Sequence, residues 1–525
     1  MMKLFAAHSN KPIVSLIWLL TVILFMSLPG ASASGQETGG PKQEPNEQAD
    51  ASGAIAPPTV VAKIGDYTLT REELEQRVLR EIYPNDYDSN GEETQSIDAR
   101  PVLLNMLAEK AMMIEGREKG FLKSEQIRVS IKRFVDRRLI NLLFQKHVQA
   151  NEDKIAPTED EIKQKMLADQ DEIKQKMLAD PNLTLPDPNT TREKAESAIR
   201  RVKQTRVLNQ YYAEISRKSN VKMLKQNFPK VVEIHRRLMT KPKQPRKVNF
   251  IRNWQVRDEL TQSEKDIVLV QFVGGKVTLY DWFNALSNIV PPRRPRNLNT
   301  VAGVEQLLDR ALSGPLLVAE AKAQGFEKDE EFLKQVRDYE DRTALGQVRS
   351  AKMKETKEPT PKEILAYFNE NKKAFETGKN LKIDQIWCKD LDEAKKIKAE
   401  LDAGKDFEPV KKQYTPDDKS KPYNAYPGSE GMFWKELYAG EPNDVLGPLK
   451  GFHSQKVQWR IVKILEKNPG KPREYSENMD GQIKSKIMGE RNKVLMDQYG
   501  KELLEKYTYE IYADKIKGID PLNIP

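Results

Sequence analysis

One stretch of this chain is written twice. Pro157-Thr158-Glu159-Asp160-Glu161-Ile162 returns as Pro359-Thr360-Pro361-Lys362-Glu363-Ile364, and Glu115-Gly116-Arg117-Glu118-Lys119-Gly120-Phe121 is echoed by Glu320-Ala321-Lys322-Ala323-Gln324-Gly325-Phe326. Two echoes in the same order predict one helical module in two copies. The chain has 525 residues, too many for a single core, so two or three domains are expected. Apolar residues make up 38% and charged residues 31%. That balance suits long, solvated amphipathic helices better than a dense α/β enzyme core.

Each copy opens alike. Val60–Ile64 reads as a strand, Gly65-Asp66 as a turn, and Thr70-Arg71-Glu72-Glu73 as a capping box. In the second copy Ile267–Phe272, Gly274-Gly275 and Thr278-Leu279-Tyr280-Asp281 repeat the sequence of signals. Leu104, Leu107, Ala108, Ala111 and Met112 share one helical face, as do Val304, Leu307, Leu308, Ala311 and Leu312. Ile127, Ile131, Phe134, Val135 and Leu142 mark another long helix. Asp160–Asp169 recurs letter for letter as Asp171–Asp180. An eleven-residue period is roughly three helical turns, so the insertion lengthens one helix in register. A loop at Pro181–Thr191 and a helix through Val202, Leu208 and Ile215 complete the first copy. A helix from Ile483 to Leu504 and a strand at Thr508–Tyr512 complete the second.

The N-terminus reads as an export signal. Lys3 and Lys11 precede an apolar run from Ile13 to Leu28, Pro29-Gly30 breaks it, and Ala31-Ser32-Ala33 fits a cleavage site after Ala33. A cleaved signal peptide (1–33) is expected, with an uncleaved anchor as the alternative. Either places the bulk of the chain outside the cytoplasm, in the periplasm or cell envelope, with possible membrane proximity. Residues 34–58 read as a disordered linker. Lys222–Arg257 holds eleven Lys or Arg against one Glu, and residues 226–264 are expected to form a basic linker. The net charge of +9 is compatible with acidic partners without requiring nucleic acid. The single Cys388 excludes an internal disulfide and a multi-cysteine zinc site, and His8, His147, His235 and His453 lack metal-ligand spacing. No metal or cofactor is expected.

The second copy holds a block, Leu381–Asn468, where the first has a short loop. It reads as a strand (Lys382–Cys388), a helix (Leu391–Ala403), Gly404-Lys405-Asp406-Phe407, a loop with Gly428-Ser429-Glu430-Gly431-Met432-Phe433, then Gly447-Pro448-Leu449 and a last strand, Trp459–Leu465. This order resembles a parvulin-type peptidyl-prolyl isomerase domain. With the opening strand, the capping box, the Pro-Thr-x-x-Glu-Ile helix and the closing helix and strand, residues 59–515 resemble the SurA/PpiD/PrsA class of exported folding factors.

The resemblance implies a mainly α protein with a small α+β domain. Its parts would be a first SurA-like helical module at 59–225 and a second at 265–380, closed by a helix and strand at 469–515. A degenerate parvulin-like domain at 381–468 is inserted in the second module, and 516–525 form a tail. It also implies a chaperone for unfolded or partly folded exported polypeptides, without specific nucleic acid. X-Pro rotation crosses a barrier of roughly 18–20 kcal/mol. Its catalyst needs an apolar proline pocket that favours the twisted amide. Parvulin-type pockets use two histidines, an acid or cysteine, and a Met/Phe pair. Here the histidine positions fall on Gln385 and Arg460, and the acid position on Asp417 or Asp418. Met432, Phe433 and Trp459 are the candidate substrate contacts. Arginine cannot replace a neutral acceptor, so efficient isomerisation is not expected. Two alternatives stand beside this reading: an active peptidyl-prolyl isomerase with an altered pocket, and an envelope scaffold binding acidic polymers through the basic stretch.

Overall fold

The computed structural model describes residues 58–83, 96–179, 188–240, 250–416 and 421–525. The expected signal segment, the expected linker up to residue 57, and Asp417 and Asp418 lie outside these. The chain opens with a hairpin of β1 (Val60–Ile64) and β2 (Tyr67–Thr70), followed by α1 (Arg71–Ile82), α2 (Ala99–Glu118), α3 (Glu125–Gln149), α4 (Glu159–Ala179) and α5 (Pro188–Lys218). β3 (Lys222–Met223) and α6 (Phe228–Thr240) come next. A second hairpin, β4 (Val268–Phe272) and β5 (Gly275–Thr278), leads into α7 (Leu279–Ser287), α8 (Val301–Ala323), α9 (Glu330–Met353) and α10 (Pro361–Glu370). The block then runs β6 (Asn380–Cys388), α11 (Leu391–Asp402), α12 (Phe407–Tyr414), β7 (Tyr423–Ala425), β8 (Val445–His453) and β9 (Lys456–Asn468). α13 (Asp480–Lys506) and β10 (Tyr509–Ile511) follow. Among the described residues no helix is long and apolar enough to cross a membrane.

Local sequence sets the element boundaries. Capping boxes form at Thr70/Glu73, Thr158/Glu161, Thr278/Asp281 and Thr360/Glu363. Each satisfies two orphan N–H groups at a helix start, worth about 1 kcal/mol. α2 and α8 both stop before a left-handed glycine, Gly120 at φ 70° and Gly325 at φ 77°, where a side chain would be strained. The capping hydrogen bonds from Thr360, reinforced by Arg491, hold the Glu363 carboxyl down at about 2. Its contribution to stability is therefore complete above the ordinary carboxylate value of 4.5 and is lost as pH falls from there toward 2. A carboxyl-resolved NMR titration is expected to place Glu363 below the exposed glutamates; a midpoint above 4 would refute this.

Tertiary pairing does not follow the sequence copies. One compact unit is Arg128–Tyr339; the other joins the described residues up to Ile127 with Glu340–Pro525. The packing units therefore cut across the helical modules expected at 59–225 and at 265–380 with 469–515. β3 pairs with β4, in the stretch expected as the second copy, giving the sheet β3-β4-β5. β10, at the end of the second copy, pairs with β1 of the first, giving β10-β1-β2. Side chains repeat the exchange. In the first unit the Tyr211 hydroxyl accepts from Gln324 Nε2 at 2.7 Å. In the other the Tyr499 hydroxyl donates to the buried Glu115 carboxylate. Gly500 lets α13 approach α2, since a Cβ there would stand 3.0 Å from the Ala108 Cβ.

Residues 226–264 correct the expectation of a basic linker. Phe228, Val231, Ile234 and Leu238 form a buried stripe on α6 and join the core of Trp282, Phe283 and Leu308. Lys230 is exposed, and Arg237 pairs with Glu264 at 2.6 Å. Counting charges hid the helical spacing of the apolar residues between them.

Candidate functional site

The block is a four-stranded antiparallel sheet in the order β7-β6-β9-β8. Alternation along each strand sends neighbouring residues to opposite faces. On one face Leu381, Ile383, Val462 and Ile464 pack with Trp434 and Leu437 of the short helix Trp434–Tyr438. On the other Ile386, Cys388 and Ile461 pack with Ala394 and Ile397 of α11 and with Phe407 and Val410 of α12. The helix after Phe433, Trp434–Tyr438, is short.

Gln385 and Arg460 come together as expected. Arg460 Nη1 donates to Gln385 Oε1 at 3.1 Å, and Nη2 donates to Glu430 Oε2 at 2.6 Å. The pair is enclosed, with side-chain exposures of 1% for Arg460 and 5% for Glu430. The Trp387 ring lies 5.5 Å from the guanidinium carbon, a cation–π distance. Gly451 makes the room: a Cβ there would sit 2.4 Å from Arg460 Nε. That Nε is buried with no hydrogen-bond partner among the described residues. The Tyr423 hydroxyl faces Gln385 Oε1 and Glu430 Oε1, each at 3.4 Å. Burial of the hydroxyl, then the charge of Glu430, push it up to about 12, so it stays a protonated donor at neutral pH.

Glu430 and Tyr423 were missed by sequence reasoning. The available signal was electrostatic. An arginine in a buried strand position needs a counter-charge, and Glu430 is the acid of the adjacent glycine loop. Of the other expected residues, Trp459, Met432 and Phe433 pack elsewhere. Trp459, one residue from Arg460, packs against the α11 side and donates from Nε1 to the Pro525 carbonyl at 2.7 Å. Met432 and Phe433 lie with Phe452, Val457 and Leu522. Asp417 and Asp418 lie outside the described residues. His453 is exposed at the end of β8, its ring 4.7 Å from that of Trp387. Cys388 is fully buried, and burial, then the charge of Glu393, push its thiol up to about 12, which leaves it unreactive at neutral pH. A second enclosed ion pair, Lys411–Asp384 at 2.6 Å, ties α12 to β6.

Residues 359–478 match the PPIC-type PPIase domain. This block is a parvulin-like domain. The match starts at Pro359, ahead of the expected Leu381, and so takes in α10. Foldase protein PrsA from two strains of Clostridium kluyveri is 30% identical over 192 residues, covering 34% of this chain and 53% of the relative. The chain thus spans about half the length of the curated relatives it matches. Among solved structures it is similar to the peptidylprolyl isomerase PrsA of Bacillus cereus (18% identity, 38% of this chain, 77% of that one, TM-score 0.20). It is also similar to a SurA-like chaperone of Campylobacter jejuni (16% identity, 44% and 92%, TM-score 0.22). In the PPIC-type domain, the place expected for a proline pocket holds a guanidinium, a carboxylate, an amide and a phenol bonded to one another.

Proposed function

We propose that this chain is an exported folding factor that holds unfolded or partly folded polypeptides, with a PPIC-type domain that binds chain segments without catalysing prolyl rotation. The observation that carries the reading is the enclosed Arg460–Glu430 pair. Rotation catalysis requires an apolar cradle that is free to take a proline ring. Here the guanidinium lies between Trp387 and Gly451 and two of its nitrogens are bonded. Displacing it would expose a buried charge, which is costly. Holding a client needs only shallow apolar contact. Leu167, 54% exposed on α4, borders a groove of about 330 Å³ in which Ile162 and Met166 lie among Glu159, Asp160, Lys163, Gln170 and Arg192. Val202 on α5 is 60% exposed. The same reading takes the two hairpin-and-helix sets as an internal duplication, and the N-terminal apolar run as the export signal that places the protein in the periplasm or envelope.

The test is refolding of a proline-limited substrate beside an aggregation-prone one. Aggregation is expected to fall at near-stoichiometric chaperone, with the slow proline phase unchanged at one-hundredth that dose. Acceleration of the slow phase at the low dose, abolished by Gln385→Ala with Arg460→Ala, would establish the other reading, an isomerase with an altered pocket. The family match over 359–478 favours that alternative.

A further inference from the structure

The connection between α7 and α8 carries cations that no neighbouring acid answers. No Asp or Glu occurs between Thr240 and Asp258, or between Asp281 and Glu305. The three acids that close these stretches are already committed. Asp258 pairs with Arg257 at 2.6 Å, Glu305 pairs with Lys225 at 2.7 Å, and Asp281 accepts from the Thr278 N–H at the start of α7. Arg252, Arg293 and Arg296 are exposed and make no ion pair among the described residues. Other exposed cations of the same unit are paired, as Arg200 is with Glu152 and Lys218 with Glu214.

Arg294 joins these residues into one patch. Its Nε donates to the Ile289 carbonyl at 2.9 Å and its Nη1 to the Ile251 carbonyl at 2.8 Å, which pins the two segments side by side. The Phe250 ring lies 5.7 Å from the guanidinium carbon of Arg252 and 5.4 Å from that of Arg294. Pro291, Pro292 and Pro295 each fix a φ angle in the loop, and Thr300 Oγ1 donates to the Asn297 carbonyl at 2.7 Å. Like charges gathered on a stiff loop repel one another until an anion meets them. The same connection also exposes apolar side chains. Val290 is 57% exposed, and Val301, the first residue of α8, is 43% exposed.

We infer that this connection docks the protein on an anionic phospholipid surface, with Arg252, Arg293 and Arg296 meeting headgroup phosphates and Val290 and Val301 entering the interface. A guanidinium suits a phosphate, which accepts two parallel N–H bonds from one arginine. Charge alone would serve any polyanion. The exposed valines choose between partners, because an apolar side chain gains at the acyl boundary of a bilayer and gains nothing on a hydrated polymer. The patch lies outside the PPIC-type domain, and its binding does not depend on the holding of clients.

The chain from Ser34, which lacks the N-terminal apolar run and keeps every described residue, is titrated with three probes. These are vesicles of equimolar phosphatidylglycerol and phosphatidylcholine, vesicles of phosphatidylcholine alone, and long-chain polyphosphate. Binding to the mixed vesicles is expected to be at least tenfold tighter than to phosphatidylcholine, since each surface arginine adds about fivefold. Arg252→Gln with Arg293→Gln and Arg296→Gln is expected to remove that preference. Val290→Ser with Val301→Ser is expected to weaken vesicle binding about threefold and to leave polyphosphate binding unchanged. Equal affinity for the two kinds of vesicle, or an anionic preference that survives the triple replacement, would overturn the inference. Polyphosphate bound as tightly as the mixed vesicles, with the valine variant indifferent to both, would make the patch a polyanion site and overturn it as well. Should the triple variant lose its fold by circular dichroism, Arg293→Gln alone decides: a loss of about threefold or more supports the inference and no loss refutes it. Suppression of aggregation in solution is expected to be unchanged in every variant, so failure of membrane docking and failure of the chaperone reading are separable.

Discussion

Glu430→Ala is expected to destabilise the PPIC-type domain by about 3–5 kcal/mol, because it leaves Arg460 charged, enclosed and without its counter-ion. Arg460 is 1% exposed and Glu430 is 4% exposed, so water cannot substitute without opening the sheet. The penalty belongs to the broken pair and not to the pair itself. Replacing both residues with apolar side chains, Glu430→Leu with Arg460→Met, is expected to recover most of the loss, since an enclosed ion pair and a packed apolar pair are often close in energy. Gly451→Ala acts on the same group from the other side, because its Cβ would stand 2.4 Å from Arg460 Nε. Denaturant unfolding followed by hydrogen exchange in β6 and β9 measures each variant. A cost below about 1 kcal/mol for Glu430→Ala, the range of an exposed pair, would show that the site is open to solvent and would remove the main argument against proline turnover.

The second large effect is expected from Gly500→Leu. Its Cβ would stand 3.0 Å from Ala108, so a leucine forces α13 away from α2, with an overpacking cost of about 1–3 kcal/mol or more. The pattern of damage matters as much as its size. Leu503 shares a core with Val61, Ile64, Leu103 and Leu107, and β10 is paired with β1. Amide exchange is therefore expected to quicken together in residues 58–118 and 480–511, four hundred positions apart in the numbering, while Arg128–Tyr339 keeps its protection. Loss confined to residues 480–511 would contradict the exchanged pairing.

Much of the local structure was legible. Thr70, Thr158, Thr278 and Thr360 each announced a helix start, because a hydroxyl followed three residues later by an acid is a local device that needs no tertiary partner. The order of elements in the block predicted two of its four strands, β6 and β9, on which Gln385 and Arg460 lie. The partner of Arg460 was not legible: nothing in the spacing of Glu430 distinguishes it from a solvated loop acid until β9 and the loop are brought face to face. The basic stretch misled in the opposite direction, since the charged residues of α6, Lys230, Glu233, Arg236 and Arg237, are as many as its four buried apolar residues, and a count that ignores the helical turn does not show that the latter share one face.

The sequence by itself determined where the capped helices start and that β1–β2 and β4–β5 form as local hairpins, each of which gains a third strand in the fold. It could not determine which third strand. β1 and β4 have the same alternation of buried and exposed positions, so either would accept β3 or β10 by pattern alone. The choice is made by contacts with no local signature: Gly500 against Ala108, Tyr499 on Glu115 and Tyr211 on Gln324. Periodicity fixes the face a residue presents, whereas only close packing between distant segments selects the surface that face will meet.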